Sequence, residues 1–164
     1  MYWMNSRRTF MKLGFFSSGV VIMNGCDVFG IVTLHDTIRV VHKDLFPKAK
    51  ELNIDTADYM KIVFNHSRIT QEDKDFLKNG VKWLNEEALL LFKTTYIKLS
   101  DLNRQKVLQS IAKTDWGESW IRYMMQYILE ATLGDPIYRG DKNEAAWKWL
   151  AYEGGKPSPK KVYL

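Results

Sequence analysis

The stretch TQEDKDFLKNGVKWLNEEALLLFKT, residues 70–94, decides the fold class. Phe76, Leu77, Val81, Leu84, Ala88 and Leu91 recur at spacings of three, four and one, the pattern of a helix with a single apolar face. Thr70 precedes the run as an N-cap, with Asp73 in the reciprocal position of a capping box, a place more often held by Glu or Gln. Gly80 costs a helix interior about 1 kcal/mol relative to Ala, so its presence predicts a closely packed neighbour. Asp73, Asp75, Glu86 and Glu87 stand among Lys74, Lys78 and Lys82, which predicts a solvated face opposite the apolar one.

The same period continues on both sides. Upstream, a helix is expected over 55–66, capped by Asp55, with Tyr59, Ile62, Val63 and His66 on one side. Before it, Asp36 caps a helix over 36–45 that carries Ile38, Val41 and Leu45 and stops at Pro47. Downstream, Ser100 or Asp101 caps a helix over 100–114 with Val107, Leu108 and Ile111 inward. An aromatic- and Met-rich helix follows over 117–133 and ends at Gly134. Ala145–Tyr152 predicts a short helix displaying Trp147 and Trp149. Gly154-Gly155-Lys156-Pro157-Ser158-Pro159 cannot form regular structure. The expectation is an all-α fold: residues 31–164 as one compact bundle of four to five helices with an irregular C-terminal tail.

Residues 1–30 read differently, as a leader. Ser6, Arg7, Arg8, Phe10 and Lys12 fit a twin-arginine export signal, the type used by proteins that cross the inner membrane folded. The uncharged run 13–23, LGFFSSGVVIM, has the length of a signal core and is shorter than the ~20 residues of a membrane-spanning helix. Cys26, the single cysteine of the chain, follows Gly25 where the apolar run stops, which makes it a candidate for lipidation. The lone thiol also excludes an internal disulfide. The expected partners at this stage are the twin-arginine translocase and the inner membrane, through lipid or leader, and the expected location is the periplasm. Three of the 24 basic residues and none of the 19 acids fall within residues 1–25, leaving a surplus of two basic groups in the body. That balance argues against a nucleic-acid partner.

Signs of chemistry are sparse. His35, His42 and His66 lack metal-ligand spacing and are expected to be partly exposed, solvated side chains. There is no CxxC, no Gly-x-Gly-x-x-Gly after a strand and no Gly-x-Ser-x-Gly. Met124, Met125 and Tyr127 are expected as core or interface filler. Trp116, Trp120, Trp147 and Trp149 are too many for one small core, so some are expected to anchor a partner. No catalytic, metal or cofactor-binding residue is assigned.

The C-terminal third carries a resemblance. Glu130-Ala131-Thr132-Leu133-Gly134-Asp135-Pro136-Ile137-Tyr138-Arg139-Gly140-Asp141-Lys142-Asn143, then Trp147-Lys148-Trp149-Leu150, then Gly154-Gly155-x-Pro157, resembles the end of the gluconate 2-dehydrogenase subunit 3 family. Leu45-Phe46-Pro47, Trp83-Leu84-Asn85 and the leader fit the same layout. The departures are Arg139 where Gly is usual, Asp141 where Asn is usual, and Ala146 where a Gly precedes the Trp. The resemblance implies a helical, non-catalytic small subunit. It would mature, escort and stabilise a large FAD-dependent flavoprotein of the glucose–methanol–choline type, acting on gluconate or a related sugar, with a cytochrome c subunit often taking the electrons. No cofactor is implied in this chain itself. Asp135, Pro136, Tyr138, Gly140, Asn143, Trp147, Trp149 and Pro157 are the expected contacts to that partner. The alternative is a free-standing periplasmic lipoprotein or protein-binding module without a dehydrogenase partner.

Overall fold

The structure, a computed structural model of the chain, describes residues 34–138, 140–141, 143–153 and 159–161. The leader, with Ser6, Arg7, Arg8, Phe10, Lys12 and Cys26, lies outside the described residues, as does Pro157. The described residues belong to one compact unit. They are all-α, with no strand among them. Seven helices are present: α1 Leu34–Leu45, α2 Pro47–Glu51, α3 Thr56–Asn65, α4 Gln71–Phe92, α5 Asp101–Ile111, α6 Asp115–Leu133 and α7 Ala145–Trp149. Single 3-10 turns occupy Tyr96–Lys98 and Pro136–Tyr138.

Three of the four expected caps form; Asp36 does not cap, because α1 begins two residues earlier at Leu34 and places Asp36 in its first turn, paired with Arg39 at 3.1 Å. Asp55, Thr70 and Ser100 each accept a hydrogen bond from the backbone N–H three residues on, satisfying donors that the first turn of a helix leaves without partners. Thr70 also donates its hydroxyl to Asp73 at 2.7 Å, so the Asp73 carboxylate meets the cap through its side chain and not through the backbone N–H as in a capping box. The last long helix begins two residues earlier than its sequence suggests, because Thr114 caps it through the N–H of Gly117 at 3.1 Å. Pro47 does more than stop α1. It occupies the first turn of α2, where a missing N–H costs nothing.

α1 is the hub: it touches every helix from α2 to α6. Ile38 and Val41 are fully buried, joined in one core by Met60 of α3, Leu77, Leu84 and Ala88 of α4, Val107 and Ile111 of α5, and Trp120 and Met124 of α6. The close neighbour expected at Gly80 is the Trp120 indole, which lies directly on the glycine and donates Nε1–H to the Leu77 carbonyl at 3.1 Å. Beside Trp120, a row of partly buried rings runs from Tyr123 through Phe76 and Trp83 to Trp116, all in edge-to-face contact.

Three expectations are corrected. His42 is 1% exposed, and neither ring nitrogen meets a hydrogen-bond partner among the described residues. It lies on the most enclosed helix, so burial pushes its pKa down to about 3. Leu91 leaves the stripe of α4 and is exposed, because the helix overruns the core in its last turn. On α3 the buried face is Thr56, Ala57, Met60 and Val63; Tyr59, Ile62 and His66 instead face a groove.

The α1–α5 junction is tied by charge. Arg104 of α5 grips Asp44 of α1 with two N–H groups, at 2.7 and 3.1 Å, and donates to the Leu99 carbonyl and to Asp101. Tyr96 adds its hydroxyl to the same Asp44 carboxylate at 2.7 Å. Burial, then the bond to Asp44, raises the Tyr96 pKa, while the bond to Asp44 raises that of Arg104.

Candidate partner interface

Two features at the α3–α6–α7 end could meet a partner: a groove and a braced aromatic turn. The groove, about 900 Å³, lies between α3 and the last turns of α6. Tyr59, Ile62, His66, Tyr127, Glu130 and Tyr138 line it, with Arg68 and Lys161 also in its walls. Tyr59 donates its hydroxyl to Glu130 at 2.9 Å, and Gln126 bonds the other carboxylate oxygen at 2.9 Å. Burial, helped by that bond, raises the Tyr59 pKa, and burial pushes that of Tyr127 up to about 12, so both present neutral hydroxyls at neutral pH.

The braced turn is built from the loop after α6. Asp135 accepts from the N–H of Ile137 at 3.0 Å and starts the 3-10 turn that carries Pro136 and Tyr138. Gly140 is buried with its α-carbon against the Ala131 carbonyl, so any side chain would strike backbone. Its own carbonyl accepts from the N–H of Asp55, tying the loop to the start of α3. Asp141, also buried, then turns its carboxylate onto the N–H groups of Ala145 at 2.9 Å and Ala146 at 2.7 Å, and more weakly onto Asn143 at 3.3 Å. A buried carboxylate is stable there because the first turn of α7 supplies oriented donors. Asn143 is itself exposed, and its carbonyl accepts from Lys148 at 2.8 Å.

The two tryptophans of α7 part company. Trp147 is half-buried: its indole N–H reaches the Leu133 carbonyl at 2.8 Å, and its ring meets Tyr152 edge-on. Trp149 is 47% exposed with the Lys48 ammonium 5.4 Å from its ring centre. Leu150 and Tyr152 stand out from the surface beside it in sequence, and Leu129 and Leu133 do so on the outer side of α6. Sequence reasoning missed the anchoring role of Asp141, because it stands four residues before α7 while Glu144 occupies the N-cap position where a capping signal is read. It also missed Tyr59–Glu130 and Asp44–Arg104, which join residues 71 and 60 positions apart.

Among the described residues no three His, Cys, Asp or Glu side chains gather as a metal-binding group, and no helix is long and apolar enough to cross a membrane. The family profile described as Gluconate 2-dehydrogenase subunit 3 matches residues 33–155. This chain belongs to the gluconate 2-dehydrogenase subunit 3 family. Membership suggests the small subunit of a dehydrogenase complex, in association with the other gluconate 2-dehydrogenase subunits. The match spans all seven helices and the braced turn. No curated protein matches the chain, and neither does any solved structure.

Proposed function

We propose that this chain is the non-catalytic small subunit that matures, escorts and stabilises a large FAD-dependent dehydrogenase of the glucose–methanol–choline type. Its complex would oxidise gluconate or a related sugar and hand the electrons to a cytochrome c. The observation that carries this reading is the family match over residues 33–155, which includes the braced turn. That turn supports it physically. The loop is held by Gly140, Asp141 and Trp147, yet holds out Trp149, Leu150 and Tyr152 instead of covering them. Large rings on a preorganised support are the residues that dominate protein interfaces.

In this reading the twin-arginine leader, Ser6 to Lys12, addresses both proteins to the periplasm, and Cys26 carries the lipid that keeps the pair at the inner membrane. The test is to delete this chain from cells that make the large subunit. The flavoprotein is expected to remain in the cytoplasm; normal periplasmic activity without the small subunit would refute the escort role. Cys26→Ser should release the protein from the membrane fraction, and unchanged fractionation would remove the lipid anchor.

A further inference from the structure

One wall of the groove between α3 and α6 comes from beyond α7: Lys161 lines it together with residues of both helices. Much of the remaining wall is apolar. Ile62, Val63 and Ile69 give it an aliphatic side, and Tyr59, Tyr127 and Tyr138 add their rings. The Tyr59 ring is fixed there by its bond to Glu130 at 2.9 Å. The volume of about 900 Å³ is in the range of pockets that enclose a drug-sized ligand, roughly 300–1,000 Å³. Lys161 is followed by Val162-Tyr163-Leu164, which lies outside the described residues. Residues 153–161 hold no Val, Ile, Leu, Met, Phe, Tyr or Trp, so the triplet is an abrupt apolar run, of a kind that needs cover. At ~3.3–3.6 Å per extended residue it reaches at most about 11 Å from Lys161, which keeps it beside the groove.

We propose that Val162-Tyr163-Leu164 packs into this groove, a strap by which the chain covers its own α3–α6 face. The chemistry of the two matches: an extended triplet puts Val162 and Leu164 on one side, suited to the aliphatic wall, and Tyr163 on the other, suited to the phenol rings. Tethering makes a weak contact sufficient, because a segment on a short linker meets its site at millimolar effective concentration. Any separate partner would have to displace a triplet that cannot move away from the groove. The groove residues from Tyr59 to Tyr138 fall within the matched residues 33–155, whereas the triplet lies beyond them, so the strap does not rest on the escort reading.

The full-length protein should be compared with one lacking residues 162–164. Hydrogen exchange over 59–69 and 127–138 should be faster in the shortened protein, and should slow again when the peptide Lys160-Lys161-Val162-Tyr163-Leu164 is added. An unchanged far-ultraviolet helix signal marks this as uncovering and not unfolding. The shortened protein should bind that peptide at least about tenfold more tightly than the full chain, whose groove is already taken at millimolar effective concentration. Val162→Asp/Leu164→Asp in the full chain should reproduce the deletion, and Val162→Ile/Leu164→Met should not. A photoreactive benzophenone residue in place of Tyr163 should cross-link to α3 or to the last turns of α6 within the same chain. Parent-like exchange in the shortened protein, equal peptide affinity for the two proteins, or a cross-link elsewhere in the chain would overturn the proposal. So would a cross-link between two chains, which would give the groove to a second copy.

Discussion

A methyl group added at Gly80 would enter the Trp120 ring. Helix propensity alone favours Gly80→Ala by about 1 kcal/mol, while overpacking a full core costs about 1–3 kcal/mol or more. Packing should win, and Gly80→Ala should lower the thermal midpoint; a rise would mean the indole moves aside freely. The sequence showed that something must lie there, because a glycine inside strong helix formers needs a reason, but not which ring. His42 was misread for the converse reason. Its burial comes from the five helices around α1, and a side chain's own period says nothing about that. The unfolded chain takes up a proton at His42 near pH 6.5 and the native protein only near 3. Between those values the unfolded state binds more protons, so stability present in full above 6.5 is lost as pH falls. From pH 7 to pH 5 this one residue should remove about 2 kcal/mol. Urea unfolding of His42→Leu at the two pH values should lack that increment; an unaltered fall would mean the ring is solvated.

α7 is five residues long and contacts only the end of α6 strongly, far too short to be helical alone. Its order comes from Asp141, whose carboxylate satisfies two of its N-terminal donors, and from the Trp147–Leu133 bond. Asp141→Ala should cost at least about 3 kcal/mol locally, since it removes two hydrogen bonds to a charged group that contribute about 1.5–3 kcal/mol each. The expected signature is a red shift of tryptophan emission and faster hydrogen exchange over 145–149, with the far-ultraviolet helix signal nearly intact. Loss of the whole fold instead would make α7 part of the core. Period and caps gave the ends of the long helices to within three residues because those signals are local. They could not reveal α2, a single turn opened by Pro47, or separate the buried face of α3 from the one lining the groove, since Tyr59 and Met60 are both large and apolar and only α6 decides between them.

For the whole molecule, the consequence lies in association. Trp149→Ala/Leu150→Ala removes side chains that stand about half out in solvent, so the free subunit should nearly keep its melting temperature. The complex with the large flavoprotein should weaken by at least about 2 kcal/mol, roughly thirtyfold in Kd, as for interface hot spots; titration calorimetry or gel filtration of the purified pair measures it, and undiminished affinity would move the interface elsewhere. By itself the sequence determined the all-α class, the long helices, the caps Asp55, Thr70 and Ser100, the close approach at Gly80 and the family, because each rests on local spacing or on the order of motifs. Only the tertiary structure decided that His42 is enclosed, that Trp147 folds back while Trp149 stands out, and that Asp141 and Gly140 bind the loop to α3, α6 and α7. Those outcomes depend on which helix ends meet, and residues tens of positions apart are brought together by packing, which no local pattern in the chain encodes.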